Sequence, residues 1–187
     1  MKDTRPASMA ARHSLPATAV LEMTYRCNHN CIFCSCPWFR EDGSFDIREE
    51  LSAAVWKEAI TRLCAMGVVN FAFTGGEALL RKDLFEIIRF AASSTAWHLE
   101  TENGALAERA GQPRLYLLSN GLLVDEAVVD FCKEQKVTLS MSLPGLSTFA
   151  GHTEQDTADH VLAMFRLCRD RGLKTTANIT VTRKNLP

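Results

Sequence analysis

Three cysteines fall close together in Cys27-Asn-His-Asn-Cys31-Ile-Phe-Cys34. Thiolates at this spacing on one loop can wrap one face of an iron–sulfur cubane and leave an iron without a protein ligand. An open iron is chemically useful, because a substrate or cofactor can chelate it. Zinc is the rival occupant: it wants four ligands, and His29 or Cys36 would be the fourth. The second cysteine pair of a zinc knuckle usually arrives from another hairpin, and none is visible in the sequence. A redox pair at Cys31 and Cys34 would leave Cys27 without a task. Spacing favours iron–sulfur and leaves zinc open.

The chain holds seven cysteines, and four of them crowd between Cys27 and Cys36. Clustering of this kind favours a metal over a disulfide framework. Cys64, Cys132 and Cys168 lie in helical patterns beside Leu63, Phe131 and Leu167, and read as small buried core residues. The 187 residues are 47% hydrophobic and 23% charged, the profile of a globular domain with a sizeable core. A formal net charge of −1 gives no basic field for nucleic acid or an anionic membrane, so neither is expected as a partner. No apolar run approaches the roughly 20 residues that span a bilayer. Residues 1–16 lack the apolar centre of a secretory signal and read as a flexible leader to a domain over 17–187, with the cytoplasm as the expected compartment.

The elements that must position the cysteines alternate. Periodicity predicts a strand over 17–24, ending just before the cysteine loop. A helix over 49–66 follows, with Leu51, Val55, Ala59 and Leu63 as its apolar stripe and Gly67 at its end. Then come a strand over 69–74, a Gly-Gly turn, and a helix over 83–92 with Leu84, Ile87, Ile88 and Ala91 inward and Asp83 as N-cap. Residues 93–114 break the pattern and read as a polar surface excursion with a short helical piece near 105–110. A strand over 115–119, a helix over 125–135, a strand over 137–142, a loop over 144–156, a helix over 157–171 and a strand over 174–182 complete the chain.

Such alternation predicts an α/β fold, a parallel sheet covered by helices. Three strands also alternate residue by residue. Val69, Phe71 and Phe73 oppose Asn70, Ala72 and Thr74, while Val137, Leu139 and Met141 oppose Thr138, Ser140 and Ser142. Ala177, Ile179 and Val181 likewise oppose Thr176, Asn178, Thr180 and Thr182. One face must meet helices. The other is small and polar, which suits either a lumen that holds a polar ligand or a solvated sheet face.

The C-x3-C-x2-C spacing after a first strand resembles the signature of the radical S-adenosylmethionine superfamily. Thr74-Gly75-Gly76-Glu77, after the second strand, is similar to the Gly-Gly-Glu segment that the family carries there. Looser matches are Leu118-Ser119-Asn120-Gly121, Ser140-Met141-Ser142-Leu143-Pro144-Gly145, and the Thr180 to Asn185 stretch. The resemblance implies a partial parallel (βα) barrel, a [4Fe–4S] cluster on Cys27, Cys31 and Cys34, and S-adenosylmethionine chelated to the open iron. It also implies that Thr74, Gly75 and Gly76 lie against the methionine moiety, with Glu77 or the backbone around it accepting from the ammonium group. Phe33 would pack by the adenine, Ser142 and Ser140 would meet the ribose, and Asn178 and Thr180 would complete the lumen side. Ala78 stands where many relatives have Pro, and Pro144 where many have Asp.

The implied chemistry is one-electron cleavage of the sulfonium to a 5′-deoxyadenosyl radical that abstracts a substrate hydrogen, with an external electron donor. The sequence singles out no general acid or base. The Cys34-Ser-Cys36-Pro-Trp38-Phe39 loop and the 142–145 segment look most like the branch of the family that modifies ribosomal peptides or proteins. A small-metabolite substrate and a non-catalytic zinc or cluster domain are the other readings. Cys36 is extra to the trio, as a ligand or a substrate-facing thiol. The family core has about six strand–helix units and this chain shows about five, so the sequence reads as C-terminally incomplete, with weak turnover expected.

Overall fold

The computed structural model describes residues 16–34, 50–154 and 157–186. Residues 1–15 of the expected leader, and Cys36, lie outside the described residues. Five strands form one parallel sheet: β1 (Thr18–Thr24), β2 (Asn70–Gly75), and then, beyond an inserted hairpin of β3 (Ala96–Glu102) and β4 (Ala105–Gly111), β5 (Arg114–Ser119), β6 (Val137–Ser142) and β7 (Thr175–Asn178). Their order is β1-β2-β5-β6-β7, so each strand of the sheet lies beside its neighbour in sequence. The helices are α1 (Ala53–Ala65), α2 (Leu84–Ser93), α3 (Glu126–Glu134), α4 (Phe149–Thr153) and α5 (Asp159–Arg171). The expected α/β architecture is present.

Register explains the alternation read from the sequence. Leu21, Phe73, Leu117 and Leu139 are successive partners across the sheet, and all are buried on the helical face. The opposite face carries Ala72 beside Tyr116 and Thr138, then Leu118 beside Ser140 and Thr176, then Ser142 beside Asn178. Helices α2 and α3 close the core through stacked rings of Phe85 and Phe131, centroids 4.1 Å apart. Cys64, Cys132 and Cys168 are all buried there. Burial pushes the Cys64 thiol up to about 11 and, helped by Cys168, the Cys132 thiol up to about 12, which leaves both protonated and inert.

Several expectations change. The first helix begins at Ala53 behind a Ser52 N-cap, so Leu51 precedes it, and Leu51 and Val55 are exposed. Its core face is Trp56, Ile60, Leu63 and Cys64 instead. Asp83 sits at the head of α2 without capping it, because its carboxylate receives Arg81 Nε at 2.6 Å and NH2 at 2.9 Å. Arg81 is buried and also donates to Met23 O and Leu51 O, fastening the end of β1 to the residue just before the Ser52 cap.

The helical piece expected near 105–110 is absent; residues 94–113 hold strands instead. They form the antiparallel β3–β4 hairpin, whose turn places Asn103 and Gly104 at φ 52° and 82°. Asn-Gly between two strand-length runs is the signal for that turn. The last strand is shorter than expected. After Asn178 the chain leaves the sheet, and Ile179 and Val181 are exposed rather than packed under helices. Asn185 fixes this departure by donating to Pro144 O at 2.6 Å and Thr180 O at 2.8 Å. Among the described residues, no helix is long and apolar enough to cross a membrane.

Candidate functional site

Carboxyl ends of parallel strands carry side chains and loops toward one edge of a sheet, where ligands bind in such folds. Here that edge gathers Cys27, Cys31, Cys34 and Phe33 from the loop after β1 and Thr74, Gly75 and Gly76 from the end of β2. Ser142 from β6 and Asn178 from β7 join them, with Leu118, Ser119, Asn120, His29 and Thr153. Together they line a cavity of about 180 Å³. Larger cavities of about 300 Å³ beside β1 and 470 Å³ beside the hairpin touch none of these cysteines. Chemistry, not size, marks the site.

The cysteine loop is held from two sides. Ile32 N–H donates to His152 O at 3.0 Å, and Asn30 Nδ2 donates to Glu154 Oε2 at 2.7 Å. The Phe33 ring lies 5.9 Å from that of His152. His152 is fully buried, its Nδ1 2.7 Å from Thr148 O and its Nε2 2.7 Å from Thr182 Oγ1. A carbonyl oxygen only accepts, so Nδ1 donates to Thr148 O. On the other side, Asn120 Nδ2 donates to Asn28 Oδ1 at 2.6 Å.

The glycines serve the approach of backbone to backbone. Gly76 N–H donates to Thr24 O at 2.8 Å and Glu77 N–H to Arg26 O at 2.7 Å. A Cβ at Gly75 (φ +132°) would lie 2.2 Å from Thr24 O, and one at Gly76 2.2 Å from Arg26 O. Only glycine lets the end of β2 pass so near the strand that delivers the cysteines.

Glu77 and Ser140 stand behind the cavity wall rather than on it. The Glu77 carboxylate is fully buried and accepts from Leu79 N at 3.0 Å, Asn120 N at 2.8 Å and Ser119 Oγ at 3.1 Å. It knits the end of β2 to the end of β5. Ser140 Oγ accepts from Thr176 Oγ1 at 2.8 Å. Sequence reasoning gave Asn120 and Thr153 no role. Position after a strand end was the available signal for Asn120, whereas Thr153 arrives from α4, a helix inside what read as a loop.

Burial pushes the Glu77 carboxyl above its ordinary 4.5, against the pull of its three donors. The folded chain therefore holds that proton more tightly than the unfolded chain. This contribution to stability is complete below pH 4.5 and is lost as pH rises through the folded value. Glu77→Gln removes the titration and turns an amide N–H toward buried donors, at a cost of about 1–3 kcal/mol at neutral pH. Urea unfolding across pH 4.5 to 7 should show the wild type gaining on the variant as pH falls. Parallel curves for the two proteins would refute this account.

Burial also raises the Cys27 thiol, with Glu77 and Cys34 adding to the rise, and takes Cys31 to about 11, with Cys27, Cys34 and Glu154 adding. Thiols so placed stay protonated until a cation displaces the proton, so metal uptake releases protons. The donor set fits an iron–sulfur cluster, being three thiols on one loop facing a cavity of glycine and small polar side chains. Among the described residues, no three His, Cys, Asp or Glu side chains gather around one point as a single metal ion requires. His29 is buried, burial lowers its pKa, and its Nε2 has no partner among the described residues. That buried polar atom belongs to a residue that lines the cavity and is open to a polar partner there.

Similarity to known proteins points the same way. The chain is 31% identical over 179 residues to the PqqA peptide cyclase of Rhodopseudomonas palustris, covering 96% of this chain and 43% of that protein. Streptococcus suis SuiB bound to S-adenosylmethionine superposes with a TM-score of 0.70 over 91% of this chain and 34% of that one, at 17% identity. Native anSMEcpe with bound AdoMet and Cp18Cys peptide gives 0.63 over 87% and 42%, at 20% identity. The chain thus spans less than half the length of these relatives. Because the family described as the Radical SAM superfamily matches residues 21–185, from within β1 to past β7, the chain belongs to that superfamily.

Proposed function

We propose that residues 17–187 form the core domain of a radical enzyme that modifies a ribosomally made peptide or small protein. The observation that carries the reading is the meeting of Cys27, Cys31 and Cys34 with Gly75, Gly76, Ser142 and Asn178 around one cavity. Cys27, Cys31 and Cys34 hold a [4Fe–4S] cluster, and Phe33, Thr74, Gly75, Gly76, Ser142 and Asn178 face S-adenosylmethionine. When bound, these cofactors supply a 5′-deoxyadenosyl radical through one-electron reduction by an external donor. The protein orients them. Glu77 and Ser140 act from behind the wall by fixing the strand ends, and the Phe33–His152 packing holds the loop against α4.

A peptide substrate is supported by relatives named for one, the PqqA peptide cyclases and anSMEcpe with its Cp18Cys peptide. Anaerobic reconstitution of the chain, followed by assay of 5′-deoxyadenosine with and without a reductant, tests the radical reading. A brown protein with about four irons per chain and reductant-dependent product is expected. A colourless zinc protein without product sinks the reading.

A further inference from the structure

Asn120, the residue that follows β5, is held at three atoms. Its backbone N–H donates to Glu77 Oε2 at 2.8 Å, and its Oδ1 accepts from Leu122 N–H at 3.0 Å. Its Nδ2 lies 2.6 Å from Asn28 Oδ1 and 3.9 Å from Cys27 Sγ. The Leu122 N–H can only donate, so it fixes which end of the amide is oxygen. The nitrogen then points at the cysteine loop, where its two hydrogens have two acceptors. Glu77 is fully buried and anchors the backbone at this position, so the amide is aimed before any ligand arrives.

We infer that Asn120 is a positioning residue that donates an N–H···S hydrogen bond to Cys27 and so raises the reduction potential of the cluster this loop holds. The inference rests on the cluster reading above. Reduction adds negative charge to the cluster and its thiolates, and a donor aimed at one sulfur stabilises that charge more in the reduced state than in the oxidised. Asn28 Oδ1 accepts from the same amide, while Leu122 N–H and the Glu77 carboxylate hold Asn120 in place independently of it.

The test uses the reconstituted chain and three variants. Asn120→Leu keeps the side chain's size and removes the donor. Asn120→Ser keeps a hydroxyl near the Leu122 N–H but cannot reach Cys27. Asn28→Ala removes only the other acceptor. Iron and labile sulfide per chain are measured first, then the midpoint potential of the cluster by a redox titration read by electron paramagnetic resonance. Both Asn120 variants should move to lower potential by about 59 mV, a tenfold change in a one-electron equilibrium, and Asn28→Ala should stay at the wild-type value. An unchanged potential in the Asn120 variants, or an equal shift in Asn28→Ala, overturns the inference. So does loss of the cluster from both Asn120 variants, since the residue would then serve assembly rather than tuning. A wild-type chain that takes up no cluster overturns the cluster reading and this one with it, whereas a normal cluster indifferent to Asn120 overturns this one alone.

Discussion

Serine in place of any one of Cys27, Cys31 or Cys34 should remove the proposed cluster and with it any cleavage of S-adenosylmethionine. The loss should be complete rather than graded, because a cubane held by three protein thiolates would have no spare ligand. A serine hydroxyl stays protonated at neutral pH and is a poor ligand for iron that thiolates hold. The three positions are not equivalent in the metal-free chain. Cys31 is less exposed than Cys27 or Cys34 and bears the influence of both neighbouring thiols. The measurement is iron and sulfide per chain with the visible spectrum after anaerobic reconstitution, beside 5′-deoxyadenosine formation. Serine at Cys64 is the control, since that thiol lies in the core away from the cavity. A Cys27→Ser protein with a full cluster would remove Cys27 from the ligand set.

Alanine at Gly76 should be nearly as damaging, through the fold rather than through a ligand. The new methyl group would sit 2.2 Å from Arg26 O, a backbone atom that cannot swing aside. Relief requires the end of β2 to part from the start of the cysteine loop, breaking the Gly76–Thr24 and Glu77–Arg26 hydrogen bonds. Gly75→Ala meets Thr24 O at the same 2.2 Å and adds a φ of +132° that L-residues avoid. Overpacking of this kind costs about 1–3 kcal/mol, and the unfavourable φ at Gly75 adds about 1–3 kcal/mol. Urea unfolding should give a lower midpoint for both variants, and S-adenosylmethionine binding should weaken with it. Gly151→Ala in α4, where nothing lies within 4 Å of the added carbon, should instead gain about 0.5–1 kcal/mol. Equal stability of all three proteins would mean that the strand ends do not meet as described.

How much of this was legible in the chain depended on whether the cause was local. The 3.6-residue and two-residue periods gave the strands of the parallel sheet and most helices, because burial on one face repeats with the backbone's own geometry. The cysteine trio and the Gly-Gly-Glu turn were equally plain, since both are contiguous. Errors arose where neighbours in space made the decision. Leu51 and Val55 fit an apolar stripe, yet it is Trp56 and Ile60 that pack into the core. Asp83 looked like a cap until Arg81 claimed its carboxylate. Ile179 and Val181 continue an alternation that the sheet abandons after Asn178.

The site divides along the same line. Residue order alone determined that three thiols share a loop after a first strand, that two glycines follow the second, and that the later strands carry one small polar face. Tertiary structure alone decided that Glu77 turns inward to bind Asn120 and Ser119 rather than facing the cavity, and that the glycines are demanded by the backbone of Thr24 and Arg26. It also decided that Asn120 is aimed at Cys27 and that His152 braces Phe33 from α4. The reason is physical. Spacing along a chain fixes which groups can share a loop or a face, whereas the direction of a carboxylate or an amide follows from whichever donors and acceptors remain when distant segments close around it.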